Sequence, residues 1–390
     1  MKITTSIEDF ATYLAENGDL KDKFIIWNNP NDLFDINKIK KTMGYSQISN
    51  QQKSFINSCT MPETITALRG NFLQISYKLS EFDSKDFFLS KDGKLLYDND
   101  PIWSQMYIND LSQDLDWSKI NKFRNVCATG GILSFSHFCG RNLLAILLIT
   151  NFLLKGWKIV LPYPCKWIRN LLSFYSRSEY FDDSLNMEDY FKESSITKRV
   201  FYYEDSILVQ EIPIWAQFMI LKRESSKLCA RKFKADSSTG LSKLYLSRDY
   251  YENQNNKISR ISNYQHIAKY LHQKEYTIIY PEMTPINNLA KYIYQSKKVV
   301  CSPGSAYMNY ILFANSESKI IQMTPLVNLT ESNKEIRKLI IQWFIPIMGE
   351  LIFWTSSVQP CELDRYKDDE FVGNNSEIYD ENLVSTDLLC

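Results

Sequence analysis

The chain has 390 residues, of which 44% are hydrophobic, and its 45 basic residues balance its 45 acidic residues. A chain of this length and hydrophobic content can bury two domain cores, which argues against a disordered protein. The balanced charge gives no overall positive field for nucleic acid, so we expect no nucleic-acid partner and expect any phosphate site to be local.

Eight cysteines without a C-x-x-C pair or a histidine at zinc-finger spacing indicate reduced, mostly buried thiols in a cytosolic-type compartment, and no metal site. They are Cys59, Cys127, Cys139, Cys165, Cys229, Cys301, Cys361 and Cys390. The N-terminus lacks the uninterrupted apolar core of a signal peptide. The longest apolar run, Leu143–Leu154, is too short to span a bilayer and favours a buried helix. We therefore expect a cytoplasmic protein, and peripheral contact with the inner face of the membrane stays open.

Residues 1–125 are polar and aromatic with few periodic segments, and we expect them to be an irregular or appended part of the first domain. Two Asp-x-Asp motifs there, Asp98–Asp100 and Asp114–Asp116, precede any clear strand and are expected to cap turns.

From Asn125 onward the pattern predicts α/β layering. The predicted elements are a helix over 142–155, a strand over 157–162, a helix near 165–175 and a strand in "KRVFYYEDSILVQE". The basic segment Lys222–Lys243 is interpreted as an interdomain linker or a phosphate-facing loop, although its charge is also typical of simple solvation.

The next region repeats a strand followed by a helix three times and then ends in a fourth strand. The four strands are "KLYLSRD", "YTIIYPE", "VVCSPGS" and "KIIQMTP". Such alternation predicts a parallel sheet with crossover helices, and ligands of such sheets bind at the carboxyl ends of the strands. Arg248, Glu282 and the loop Ser302–Ser305 all fall at those ends.

The loop Ser302–Ser305 joins the strand Val299–Cys301 to a predicted helix over Ala306–Phe313. The amide groups that open a helix favour an anion, and Ser302 and Ser305 add hydroxyl donors. The alternative is a plain connection in which serine caps the helix and Gly304 makes the turn. The convergence of three strand ends favours a ligand with a phosphate and a sugar.

Residues from about 130 to 356, and most strongly Leu244–Pro325, resemble the family 61 glycosyltransferases. That family places Ser-Arg at a strand end, then a second Arg and an Asn, then Pro-Glu, and then a small-residue loop followed by an Asn. The matching residues are Arg248, Arg260, Asn263, Pro281, Glu282, Gly304 and Asn309. The family's loop usually reads His-Gly-Ala, whereas this chain has Pro303, Gly304 and Ser305.

The resemblance implies an α/β fold of the GT-B type, with two Rossmann-like domains whose parallel sheets face a cleft. It also implies transfer of a sugar with inversion and without a metal or other cofactor. The expected domains are an acceptor-side domain over 1–235, a nucleotide-sugar domain over 236–358 and an acidic tail over 359–390. The family's upstream signature is a His, an aromatic residue and an acid four positions after the His. Here His137 and Phe138 match, but Arg141 stands where the acid is expected.

The candidate residues have distinct chemical tasks. An inverting transfer needs a base for the acceptor hydroxyl and a cation for the leaving diphosphate. His137 is the candidate base, and Arg141 a candidate for binding an anionic acceptor or the diphosphate. The candidate donor-binding residues are Arg248, Arg260, Asn263, Glu282, Ser302, Gly304, Ser305 and Asn309. Arg248 is the first choice for the diphosphate, since arginine contacts phosphate with two donors, and Glu282 is assigned to the ribose hydroxyls.

We thus expect an inverting glycosyltransferase that uses a UDP-sugar and a glycan or glycolipid acceptor of a bacterial capsule or lipopolysaccharide. One alternative is a non-catalytic nucleotide- or sugar-binding protein, which Arg141 in place of the acid favours. Another is an enzyme with a different nucleotide substrate on the same fold.

Overall fold

A computed structural model of the chain describes residues 2–30, 33–78, 84–98, 120–128, 135, 138–153, 155–161, 166–186, 198–233, 241–248, 261, 263–325, 329, 341–356, 380, 381 and 384. The structure divides into two compact units. The first unit combines Met1–Pro30 with Met61–Gln217, and the second combines Asn31–Thr60 with Phe218–Cys390. This division falls earlier than the expected boundary at residue 235, and it adds residues 31–60 to the second unit.

The first unit is built on a mixed sheet with helices between its strands. Its strands are β1 Lys2–Thr4, β2 Leu20–Asn28, β3 Thr64–Lys78, β4 Ser84–Leu89, β5 Leu95–Tyr97, β6 Asn121–Arg124, β7 Val126–Ala128, β8 Lys158–Leu161, β9 Phe181–Asn186 and β10 Lys198–Val209. The main strand order is β1-β5-β4-β3-β10-β7-β8-β9, with β2 added beside β3 and β6 beside β10. Strand β3 pairs antiparallel with β2, β4 and β10, whereas β10, β7, β8 and β9 pair in parallel.

The described residues 2–30, 33–78 and 84–98 form helices and strands, so the expectation of an irregular N-terminal part is wrong for these residues. The helix α1, Ile7–Glu16, begins where the Ser6 hydroxyl accepts a hydrogen bond from the amide of Asp9. Its apolar face packs into the core of the first unit, where the ring of Phe72 stacks on that of Tyr203 with 5.1 Å between centroids. These strands pair with segments far away in the chain, as β3 does with β10, and no local pattern shows such pairing.

The helices that follow are shorter than their sequence patterns. A π-helical turn, Phe138–Leu143, leads into α4, Leu144–Ile149, and α5 spans Lys166–Phe174. The predicted helix over 142–155 therefore ends at Ile149. None of the helices in the described part of the chain combines the length and the hydropathy that crossing a bilayer needs.

Helix α6 spans Ile214–Phe233. It includes the first twelve residues of the segment Lys222–Lys243, so the interpretation of that segment as a linker is wrong for those residues. One face of this helix is buried, and it consists of Phe218, Leu221, Ser225 and Cys229. The Ser226 hydroxyl donates to the carbonyl of Ala314 at 3.1 Å. Because serine and cysteine occupy buried positions, the apolar stripe is inconspicuous among the lysines and arginines.

The second unit holds a sheet whose five strands are all parallel, as the strand and helix alternation predicts. The strands are β11 Lys243–Leu246, β12 Thr277–Ile279, β13 Lys298–Cys301, β14 Lys319–Thr324 and β15 Leu351–Thr355, in the order β12-β11-β13-β14-β15. The helices α7 Tyr264–Gln273, α8 Ile286–Gln295 and α9 Tyr307–Phe313 connect them. This order, 2-1-3-4-5 within the unit, is one of the common doubly wound α/β arrangements.

Residues 31–60 belong to the second unit through contacts that no local pattern predicts. They form α2, Ile36–Lys40, a 3₁₀ turn at Met43–Gln47 and α3, Asn50–Ser58. The Thr42 hydroxyl donates to the carbonyl of Leu351 at 2.7 Å, which ties this segment to β15.

Candidate functional site

The candidate site lies at the carboxyl ends of β11, β12 and β13. In a doubly wound sheet the connections leave β11 and β13 toward opposite sides, which opens a crevice between these two strand ends. Arg248 lies two residues after β11, and Ser305 lies four residues after β13. The Nη1 atom of Arg248 donates to the Ser305 hydroxyl at 3.4 Å. The structure therefore brings together two of the residues that the sequence assigned to a phosphate.

The loop after β13 is held from below by buried hydrogen bonds. The Ser302 amide donates to the carbonyl of Leu246 at 3.1 Å, and its hydroxyl donates to the phenol oxygen of Tyr245 at 3.0 Å. Ser302 is only 2% exposed, so its hydroxyl holds the loop to β11. Gly304 has a φ of +88°, a conformation that favours glycine.

The serines of this loop do not cap the following helix, so that part of the plain-connection alternative is wrong, whereas the positive φ of Gly304 agrees with its turn. Helix α9 begins at Tyr307, and Ala306 occupies the capping position without a side-chain hydrogen bond. The amides of Met308 and Asn309 donate to the carbonyls of Ser305 and Ala306, both at 3.1 Å. The amides of Met308 and Asn309 therefore already have partners. The side chains of Arg248, after β11, and Ser305, after β13, are the better candidates for binding an anion.

Three further candidates lie in different environments. The Nδ2 atom of Asn309 donates to the carbonyl of Ala306 at 3.2 Å, which fixes the loop conformation. Glu282 is exposed and follows β12 by three residues. Asn263 is half-buried and precedes α7 without a side-chain capping bond.

Sequence reasoning missed two buried polar residues on β14. Gln322 donates through Nε2 to the carbonyls of Ser302 at 3.2 Å and of Met323 at 2.8 Å. Within the described residues, neither Oε1 of Gln322 nor Oγ1 of Thr324 has a hydrogen-bond partner. A buried polar atom without a partner costs about 1–3 kcal/mol, so a ligand that supplied the missing bond would gain that energy. The only sequence signal is the alternation of polar and apolar residues in "IIQMT".

The remaining candidates do not join this site in the described residues. His137 and Arg260 lie outside those residues, and Arg141 lies in the π-helical turn, its side chain outside the described part. His266 on α7 is exposed and contacts Glu381, with 2.9 Å between Nε2 and Oε2. Across the described part of the chain, no group of three or more His, Cys, Asp or Glu residues has the arrangement of a metal site.

Comparison with known families identifies the segment that contains this site. Residues 135–321, slightly less than half of the chain, match the family model described as Glycosyltransferase 61. The match includes β11, β13, Arg248 and the loop Ser302–Ser305. A comparison with curated proteins found no match. Over residues 135–321, the chain is therefore similar to glycosyltransferase family 61.

Proposed function

We propose that the protein transfers a sugar from a UDP-sugar to a glycan acceptor, with inversion at the anomeric carbon and without a metal ion. The observation that carries this proposal is the contact between Arg248 and Ser305. It lies at the switch point of the sheet, the crevice between the ends of β11 and β13, inside the segment that matches the family. A guanidinium with a hydroxyl beside it offers several hydrogen-bond donors to a diphosphate. The guanidinium also neutralises the negative charge that develops on the diphosphate as its bond to the sugar breaks.

The other donor-site residues have supporting tasks in this proposal. Arg260 supplies a second cation for the diphosphate, and Glu282 accepts hydrogen bonds from the ribose hydroxyls. Ser302, Gly304 and Asn309 keep the loop in its shape, and Asn263 lies beside the nucleotide. The GT-B arrangement, in which two such domains face a cleft, is part of the same proposal.

The catalytic base that we propose is His137, because imidazole accepts a proton near neutral pH. Arg141 would then bind an anionic group. If His137 is the base, the rate should fall as pH drops below the histidine pKa, and His137→Asn should remove that limb of the profile. An unchanged profile in His137→Asn would assign the base elsewhere.

The donor proposal is tested by thermal unfolding with UDP, UDP-sugars, GDP, ADP and phosphate, each with and without EDTA. A ligand at 100 times its Kd stabilises the native state by about 2.7 kcal/mol. We expect a shift with UDP compounds that survives EDTA, disappears in Arg248→Ala and persists in Arg231→Ala, a control at an exposed arginine near the end of α6. If no nucleotide raises the melting temperature, the proposal is refuted. If EDTA abolishes the rise in melting temperature, binding depends on a metal ion.

One observation favours a second function, a nucleotide- or sugar-binding protein without turnover. Arg141 stands where the family pattern has an acid, so the catalytic constellation differs from that pattern. Binding of a UDP-sugar without hydrolysis or transfer over many hours would support this function. Transfer to a glycan, with the product's anomeric configuration read by NMR, would exclude it and would test inversion at the same time.

The acceptor that we propose is a growing bacterial capsule or lipopolysaccharide chain, glycosylated in the cytoplasm or at the inner face of the membrane. The Lys-, Asn- and Ile-rich composition supports a bacterial setting. Incubation with lipid-linked and free oligosaccharides would separate a glycolipid acceptor from a soluble one.

A further inference from the structure

The first unit contains a cavity of about 50 Å³. Its lining includes Ala128 and Val209, the last residues of the parallel strands β7 and β10. At about 10–15 Å³ for each water molecule, the cavity holds roughly three to five waters. That space suits one edge of a sugar ring and is too small for a nucleotide.

Polar residues from several elements line this cavity. Asp86 lies in β4 and Asn142 lies in the π-helical turn, a type of turn that is frequent at functional sites. Gln210 and Glu211 follow β10, and Gln217 lies in α6. Five residues with carboxylate or amide side chains therefore line a space of a few water molecules.

Several of these side chains are held in place by hydrogen bonds. The Asp86 carboxylate is 7% exposed, and its Oδ1 accepts a hydrogen bond from Nε2 of Gln74 at 2.9 Å. The Nε2 of Gln217 donates to the carbonyl of Ile212 at 2.6 Å. The Oε1 of Gln210 accepts from the amide of Thr66 at 2.9 Å. These contacts preorganise the lining, so a ligand need not order it on binding.

The charge of the lining selects the kind of ligand. Asp86 and Glu211 are carboxylates, and the described residues that line the cavity include no lysine or arginine. A phosphate or carboxylate group would be repelled, whereas hydroxyl groups would donate hydrogen bonds to these oxygens. Phe88 and Leu144 add apolar surface of the kind that packs against the C–H face of a sugar. Ala145 and Glu211 are half-buried, so the rim reaches solvent.

We propose that this cavity binds the hydroxyl groups at one edge of an uncharged sugar, with Asp86 and Glu211 as the acceptors of their hydrogen bonds. The assignment of that sugar to the glycan acceptor rests on the proposed transferase function. The site then makes the enzyme prefer a neutral acceptor terminus over an acidic one.

The test is a ligand-observed NMR titration of the full chain without any nucleotide. The panel pairs the methyl glycosides of glucose, galactose and N-acetylglucosamine with acidic counterparts, glucuronate and glucose 6-phosphate. We expect a neutral sugar to bind at least tenfold more tightly than its acidic counterpart, and Asp86→Asn to weaken that binding at least tenfold. Binding of acidic and neutral sugars with equal affinity, or of none of the panel, would overturn the proposal.

A second variant guards against misfolding of Asp86→Asn. Ala145→Leu places a larger side chain in the cavity, and we expect it to abolish sugar binding while the UDP-induced thermal shift persists. Unchanged sugar binding in a folded Ala145→Leu would place that binding elsewhere and refute the cavity site. Failure of sugar binding with the UDP shift retained rejects only the cavity, whereas failure of the UDP shift with sugar binding retained rejects only the donor proposal.

Discussion

Arg248 and Ser305 meet across the switch point of the parallel sheet, where Nη1 of Arg248 donates to the Ser305 hydroxyl at 3.4 Å. The two residues are 57 positions apart in the chain. They meet because β11 and β13 are neighbours, with Leu246 paired to Cys301. A cation and a hydroxyl donor at this point favour an anionic ligand group.

Arg248→Lys tests whether the guanidinium is needed or only its charge. Lysine keeps the positive charge but loses the planar pair of donors, so we expect UDP to bind about tenfold more weakly, with little change in stability. Titration calorimetry gives the Kd. Affinity equal to that of the native protein would mean that the charge alone acts.

Ser302→Ala and Ser305→Ala should separate the support of the loop from ligand contact. The buried hydroxyl of Ser302 bonds Tyr245, so its loss should lower the free energy of unfolding by about 1 kcal/mol. The Ser305 hydroxyl contacts Arg248 at the loop surface, so its loss should mainly weaken UDP binding. Denaturant unfolding and calorimetry measure the two effects, and the reverse pattern would refute the roles assigned here.

Asp205 should make the first unit sensitive to acid. Its Oδ1 accepts from Nε of Arg69 at 2.7 Å, and the Lys21 ammonium lies 2.9 Å from Oδ2. The Arg69 hydrogen bond, with help from Lys21, lowers the pKa of Asp205 to about 2. The folded-state pKa is below the unfolded value of about 3.9, so the stabilisation is present above pH 4 and is lost as pH falls toward 2. It amounts to roughly 2 kcal/mol, because one pKa unit corresponds to about 1.4 kcal/mol.

Asp205→Asn should remove that part of the acid transition. We expect the variant to be less stable at pH 7 and to lose less stability between pH 4 and pH 2 than the native protein does. Glu16→Gln, at an exposed carboxylate near the end of α1, is the control and should leave the slope unchanged. A native slope in Asp205→Asn would assign the acid sensitivity to other carboxylates.

Gly70→Ala should destabilise the protein more than Gly349→Ala does. A Cβ at residue 70 would lie 2.2 Å from the carbonyl oxygen of Asp19, which is backbone and cannot move alone. At residue 349 the nearest atom is Cε of Lys38 at 2.8 Å, in a side chain that can rotate away. We expect a loss above about 2 kcal/mol for the first substitution and below about 1 kcal/mol for the second. Similar losses in denaturant unfolding would contradict the close approach of β3 and Asp19.

The free cysteines should resist alkylation in the native state. Burial raises the pKa of Cys59 to about 11 and that of Cys127 and Cys229 to about 12. At pH 8 Cys59 carries roughly two hundredfold less thiolate, and Cys127 and Cys229 carry roughly two thousandfold less, than a free cysteine of pKa about 8.5. Peptide mass spectrometry after iodoacetamide treatment should show labelling of these three only in denaturant. Rapid native labelling of Cys127 would contradict its burial.

Local pattern predicted most of the second sheet. The strands near Leu244, Val299 and Ile320 and the helices between them follow from β-branched runs and helical spacing, which depend on neighbours within a few residues. Their parallel pairing followed because strands that alternate with helices have few arrangements. Arg248 and Ser305 could therefore be placed at one edge, although not in contact.

Long-range contacts decided the parts of the fold that local patterns did not predict. The long pairing of β3 with β10 joins residues such as Ile75 and Val200, which no local signal relates. The packing of Thr42 against β15 and the burial of Cys229 likewise depend on distant partners.

The sequence by itself determined the α/β rhythm, the similarity of residues 135–321 to a glycosyltransferase family and the residues at the strand ends, because these are properties of short segments and motifs. Only the tertiary structure decided that Ser302 supports the loop while Ser305 meets Arg248, that Gln322 bonds the Ser302 carbonyl, and that Asp86 and Glu211 share a cavity. The physical reason is that hydrogen-bond partners and cavities arise where segments far apart in the chain pack together, and the free energy of that packing is set by the whole fold.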